Sequence, residues 1–143
     1  MPPRPIQDTA SVAWSQIDSH TNGLPAFELE LTEIAVFPVT NVIYLELGLG
    51  RETLYQIHAA LNKECLWYAE PFEYHPHITL AQELKPEQVP DAVELARRTW
   101  SEWKRERSFW AEELTFVQNT TDNCWRDLAS LQLEKQPVPV RRF

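Results

Sequence analysis

The sequence predicts an α+β fold: an antiparallel β-sheet with helices packed on it. Three observations lead there. Several stretches alternate apolar and polar residues, the pattern of strands with one buried face rather than of a fully buried parallel sheet. Two longer stretches repeat apolar residues at helical spacing. No glycine-rich phosphate loop opens a βα unit. The 143 residues, 43% of them hydrophobic, suffice for one domain with a real core. No low-complexity tract or linker divides the chain, so residues 1–143 read as a single domain with a loose N-terminus and a C-terminal tail.

Met1 to Pro5 is proline-rich. Asp8 or Thr9 can cap a short helix to about Asp18, with Val12, Trp14 and Ile17 on its apolar side. His20-Thr21-Asn22-Gly23 reads as a turn, with His20 an ordinary surface residue. Phe27, Leu29 and Leu31 alternate with Glu28, Glu30 and Thr32, and the strand extends or bends through Ala35 to Phe37. After a loop at Pro38 and Thr40-Asn41, Val42 to Leu47 is apolar enough for a central strand, ended by Gly48 and Gly50. Residues 51–63 place Leu54, Ile57, His58 and Leu61 at helical spacing, His58 in a packing or hydrogen-bonding role. Cys65 to Tyr68 then leads towards a strand at 77–82. Lys85-Pro86-Glu87 opens a helix to about Trp103, with Val89, Val93, Ala96, Trp100 and Trp103 as its stripe. A strand from Phe109 to Gln118, a polar turn at 119–123, and a strand from Trp125 to Leu133 form a hairpin. In its second strand Trp125, Ala129, Leu131 and Leu133 are in phase. An extended tail runs from Lys135 to Phe143.

Charge narrows the function. Lys and Arg number 13 against 21 Asp and Glu, a net charge of −8. Such a chain gains little from long-range attraction to a nucleic-acid backbone, so broad backbone binding is not expected, while a local phosphate site is allowed. The one dense basic stretch, Arg97 to Arg107, reads as a solvated helix end. Cys65 and Cys124 stand at no metal-ligand spacing from each other or from the histidines, so neither a metal nor another cofactor is expected. No secretory or membrane-spanning stretch is evident, which predicts a cytoplasmic protein with reduced thiols and no membrane partner.

The chemistry concentrates in Tyr74-His75-Pro76-His77-Ile78-Thr79-Leu80. On a strand, His77 and Thr79 project from one face while Ile78 and Leu80 point to the core. An imidazole beside a hydroxyl suits a phosphate: the hydroxyl donates to an oxygen and the imidazole moves a proton. Pro76 has no N–H to donate, so it fits the first strand residue or an edge strand. A His-x-Thr triplet also arises by chance, with its histidine at the surface or in packing, so context has to carry the assignment.

That context resembles the 2H phosphoesterase superfamily, which includes RNA 2',3'-cyclic phosphodiesterases also called 2'-5' RNA ligases. His75-Pro76-His77-Ile78-Thr79-Leu80-Ala81-Gln82 looks like the second of that family's two His-x-Thr motifs. Pro25 to Phe37, the strand from Asn41 to Leu47 and the helix with Leu54 and His58 look like its usual approach. The helix from Glu87 and the hairpin to Leu133 look like its continuation. The resemblance spans about Pro5 to Leu133 and implies a bilobal fold, here N-terminally incomplete. It implies metal-independent hydrolysis of an RNA-end or small nucleotide phosphodiester. His77 and Thr79 would be the catalytic pair, with His75, Tyr74, Tyr44 and Trp67 as candidates for contacting substrate.

The family has two such motifs facing each other across a cleft, and this sequence shows one. The strand that would carry the first motif is expected to be missing, by truncation or by natural loss. Family members share acid and base work between two histidines, so a lone His77 would leave one role unfilled. His75 has the right strand parity to stand in, although Pro76 could turn it away. A homodimer could cover an exposed sheet edge and bring two His77–Thr79 pairs to one cleft. The alternatives to an enzyme are a non-catalytic module binding nucleotides or RNA ends, or a truncated structural domain.

Overall fold

The computed structural model describes residues 1, 3–120 and 124–135. In chain order these form α1 (Ala10–Thr21), β1 (Phe27–Val36), β2 (Ile43–Leu47), α2 (Arg51–Leu61), β3 (His77–Ala81), α3 (Val89–Glu102), β4 (Ser108–Ala111), β5 (Glu113–Asn119) and β6 (Trp125–Gln132), with short 3-10 turns at Glu64–Leu66 and Pro86–Gln88. The fold is mixed α+β with antiparallel sheets, as the hydrophobic periodicity predicts. The expected strand from Phe109 to Gln118 is two strands: β4 pairs beside β1, the chain breaks at Glu112, and β5 pairs with β6. The tail beyond Lys135 and the tip of the 119–123 turn lie outside the described residues. Among the described residues no helix is long and apolar enough to cross a membrane.

The chain folds as two compact units. The first draws on Met1–Phe27, Tyr55–Tyr74 and the described residues from Trp110 to Lys135. Ala13, Ile17, Ile57, Leu61 and Leu66 are its buried cluster, with Trp14, Leu24, Phe27 and Phe116 packed against it. Thr9 caps α1 by accepting the Val12 N–H at 3.3 Å. The helix continues three residues past the expected Asp18. Thr21, fully buried, donates its hydroxyl to the Ile17 carbonyl at 2.7 Å, so a residue that reads as a turn former is satisfied inside the helix. Val12, expected on the apolar side, is 44% exposed, and Ala13 takes the core position.

In the β5–β6 hairpin Phe116 pairs with Ala129 but Val117 pairs with Asp127, so Leu128 is an extra residue in a β-bulge. The bulge reverses side-chain phase. Ala129, Leu131 and Leu133 stay in step, whereas Trp125 goes to the opposite face and is 55% exposed.

A buried ionic cluster ties the first unit together. Arg4 pairs with Glu70, and its Nη1 donates to Asn62 Oδ1 at 2.7 Å and to the Leu66 carbonyl at 3.1 Å. His58 Nε2 lies 2.8 Å from the same Glu70 carboxylate, and its ring stacks on Tyr74 at 3.9 Å. Burial alone would push the Glu70 carboxyl up. The hydrogen bonds and charges of His58 and Arg4 outweigh burial and hold it below its ordinary value. His58 therefore has the hydrogen-bonding role its helix position suggests.

The second unit draws on Glu28–Leu54 and His75–Phe109 and holds a four-stranded sheet of order β3-β2-β1-β4. Ile34, Ile43 and Leu45 are buried on one face, and Ile78, Ala81, Ala92, Val93, Ala96 and Trp100 pack against them. Trp100 also donates its indole N–H to the Thr32 carbonyl at 2.8 Å, which fixes α3 on the sheet. Trp103, expected in the α3 stripe, is 43% exposed because the helix ends before it. Between β2 and α2 the chain turns through Gly50 at φ +82°, where a Cβ would stand 2.2 Å from the Glu28 carbonyl oxygen.

Candidate active site

β3 is an edge strand of the second unit's sheet, and Pro76 sits just before it. A proline there costs no ladder bond. His77 stands opposite Glu46 and Thr79 opposite Tyr44 on the central strand β2. Directly opposed residues share a face, so His77, Thr79, Tyr44 and Glu46 lie together on the face turned away from α3. His77 and Thr79 are both exposed.

The sequence expectation for Leu80 is overturned. Tyr44 pairs with Thr79 while Ile43 pairs with Ala81, which makes Leu80 the extra residue of a bulge. Ala81 takes the core position beside Ile78, and Leu80 is 46% exposed. The bulge falls after Thr79, so it leaves the common face of His77 and Thr79 intact.

The orientation of His77 follows from one short bond. Its Nδ1 lies 2.6 Å from the His75 carbonyl oxygen. A carbonyl only accepts, so Nδ1 carries the hydrogen, and in the neutral ring Nε2 keeps its lone pair. Backbone geometry thereby selects the tautomer that can take a proton at Nε2.

His75 is also on this face. Its Nε2 lies 2.9 and 3.0 Å from the two Glu46 carboxylate oxygens, and Arg51 Nη1 approaches the same carboxylate at 3.5 Å. The His75 and His77 ring centroids are 6.4 Å apart. Phe37 stacks on Tyr44 at 4.1 Å, and each of these rings meets both imidazoles at a steep angle, with centroids 4.9 to 5.5 Å apart. The aromatic pair limits how far the imidazoles can swing. Burial, with the carboxylates of Glu46 and Glu33, pushes the Tyr44 phenol up, so it remains a neutral phenol at neutral pH.

Of the residues singled out in the sequence, Tyr44, His75, His77 and Thr79 come together here. Tyr74 and Trp67 belong to the first unit, where Tyr74 stacks on His58 and meets Tyr55 edge-on at 5.8 Å, and Trp67 is 54% exposed. Three contributors escaped the sequence reading: Glu46, Phe37 and Arg51. Glu46 carried a signal, as the one charged residue within the apolar stretch from Val42 to Leu47. Phe37 and Arg51 carried none, because strand pairing and the turn at Gly50 bring them to the site. Among the described residues no group of three or more His, Cys, Asp or Glu side chains is arranged to hold a metal ion.

Comparison with known proteins adds a family-level match. A model of the 2'-5' RNA ligase superfamily matches residues 1–123. Comparison with curated proteins returns no match.

Proposed function

Because the chain belongs to the 2'-5' RNA ligase superfamily, we propose that it is a 2H-type phosphodiesterase acting on 2',3'-cyclic phosphate ends of RNA or on related small nucleotide phosphodiesters. The observation that carries this reading is the His77 ring, held by its Nδ1 bond to the His75 carbonyl on the same open face as Thr79. Nε2 of His77 takes a proton from the attacking water, and the Thr79 hydroxyl donates to a non-bridging phosphate oxygen. The imidazole and hydroxyl supply these functions without a metal. A net charge of −8 favours a short terminal phosphodiester over a long polyanionic backbone as substrate. Cys65 and Cys124 are not joined in a disulfide, which fits a reducing cytoplasmic setting.

Hydrolysis of 2',3'-cyclic nucleotides tests the reading. Wild type should turn over in the presence of a chelator. His77→Ala should be slower by about 10²–10⁴-fold, the usual contribution of one general acid or base. Binding of a 2'- or 3'-nucleotide without turnover would replace the enzyme by a binding module. Neither binding nor turnover would leave a structural domain.

A further inference from the structure

We propose that His75 is the second proton-transfer group of this site, and that Glu46 is its positioning residue. The inference rests on the phosphodiesterase reading above and completes its chemistry within one sheet face. Glu46 engages Nε2 of His75 with both carboxylate oxygens, at 2.9 and 3.0 Å. That bond orients the ring, and the carboxylate offsets the positive charge of the doubly protonated imidazole. Nδ1 has no hydrogen-bond partner among the described residues. It is the nitrogen left to work, as in any carboxylate-held imidazole that acts through its far side.

The two histidines are differently prepared. His77 is tied at Nδ1 to a carbonyl and acts through Nε2. His75 is tied at Nε2 to a carboxylate and acts through Nδ1. The first arrangement leaves Nε2 as the nitrogen that can accept a proton, the part of a base, and the second leaves Nδ1 as the nitrogen that can present one, the part of an acid. The centroids lie 6.4 Å apart, within what one phosphate and two hydrogen bonds of about 2.8 Å can span. Beside them, among the described residues, stand the Tyr44 phenol, Glu33, whose charge acts on it, and Arg51, whose Nη1 approaches Glu46 Oε1 at 3.5 Å.

The step balances. A water oxygen attacks phosphorus and its proton passes to His77 Nε2. The bond from phosphorus to one ribose oxygen breaks, its electron pair stays on that oxygen, and the oxygen takes the proton from His75 Nδ1. The products are a ribose phosphomonoester and a free ribose hydroxyl, and the two imidazoles reset by exchanging a proton each with solvent. Protonating the departing alkoxide is the role this step gives to His75.

The test is the pH dependence of kcat/KM for a 2',3'-cyclic nucleotide in wild type, His75→Gln, His77→Ala and Glu46→Gln, with each variant's melting temperature. Glutamine at 75 can still donate to Glu46, which guards against misfolding. Wild type should show a bell, because the base must be free and the acid protonated. His75→Gln should lower kcat by about 10²–10⁴-fold and lose the alkaline limb while keeping the acidic one. Glu46→Gln should lower kcat with little change in KM. A folded His75→Gln that keeps wild-type activity, or loses activity but keeps the alkaline limb, overturns the proposal while His77 stands. An inert wild type removes the phosphodiesterase reading and this one with it.

Discussion

At the scale of the residue, Thr79 separates a phosphate site from an incidental pair of polar side chains. Its hydroxyl has one task in the account, donation to a charged phosphate oxygen. Hydrogen bonds to charged groups contribute about 1.5–3 kcal/mol, so Thr79→Ala should weaken transition-state binding by roughly 10- to 100-fold in kcat/KM. Thr79→Ser should restore most of the loss, because it returns the hydroxyl. Steady-state kinetics on a cyclic nucleotide checks both. Equal activity in all three forms would take Thr79 out of the site. His77 and Thr79 were legible in the sequence because two residues on one strand face need only a spacing of two. The partners of His75 were not. Glu46 lies 29 positions away, and only the antiparallel register of β2 against β3 brings it to that imidazole. Leu80 shows the converse failure: strict alternation buries it, and a bulge that no local pattern announces puts it outside.

At the scale of the element, the N-terminal segment, α2 and the loop after it are joined through Glu70. Arg4, His58 and Asn62 converge around that carboxylate and its neighbouring backbone, and the Arg4 and Glu70 side chains are only 6% and 9% exposed. Breaking a buried pair strands the remaining charge, so Arg4→Ala should destabilise the protein by about 3–5 kcal/mol, read by denaturant unfolding. The pH dependence follows from sign. Glu70 is held below its ordinary value, so its stabilisation is present above the unfolded carboxylate pKa and is lost as pH falls through the depressed folded one. Wild type should therefore lose melting temperature on acidification below the ordinary glutamate range more steeply than Glu70→Gln does. Parallel acid profiles would contradict the pairing. Helix and strand spans were largely readable from periodicity, since α3 packs a half-buried stripe of Ala92, Val93, Ala96 and Trp100 on the sheet and β2 is an almost continuous buried run. The break at Glu112 and the bulge at Leu128 were not, because which sheet a strand joins is decided by its neighbours.

At the scale of the whole molecule, the α+β class was legible because strand-period and helix-period segments alternate without a phosphate loop. The division into two compact units was not, since no linker composition marks it: each unit is assembled from separated stretches of chain. Net charge acts at this scale as well. With −8 overall, the proposed recognition would rest on the local constellation of His75, His77 and Thr79 and not on the field of the molecule. Affinity for a short cyclic-phosphate end should thus fall only weakly with added salt, with a log–log slope of about −1 or shallower, and lengthening the RNA should not steepen it. Fluorescence anisotropy with 2- and 20-nucleotide ligands (roughly spanning local and extended contact) measures this. A slope that grows with length would show backbone binding.

The central claim is that His77 performs chemistry on a phosphodiester. The most direct measurement is the single-turnover rate of 2',3'-cyclic nucleotide opening by wild type and His77→Ala, both at saturating protein and in a chelator. The account predicts a phosphomonoester product from wild type and a rate lower by about 10²–10⁴-fold in the variant at unchanged melting temperature. Equal rates, or no product from either, would contradict it.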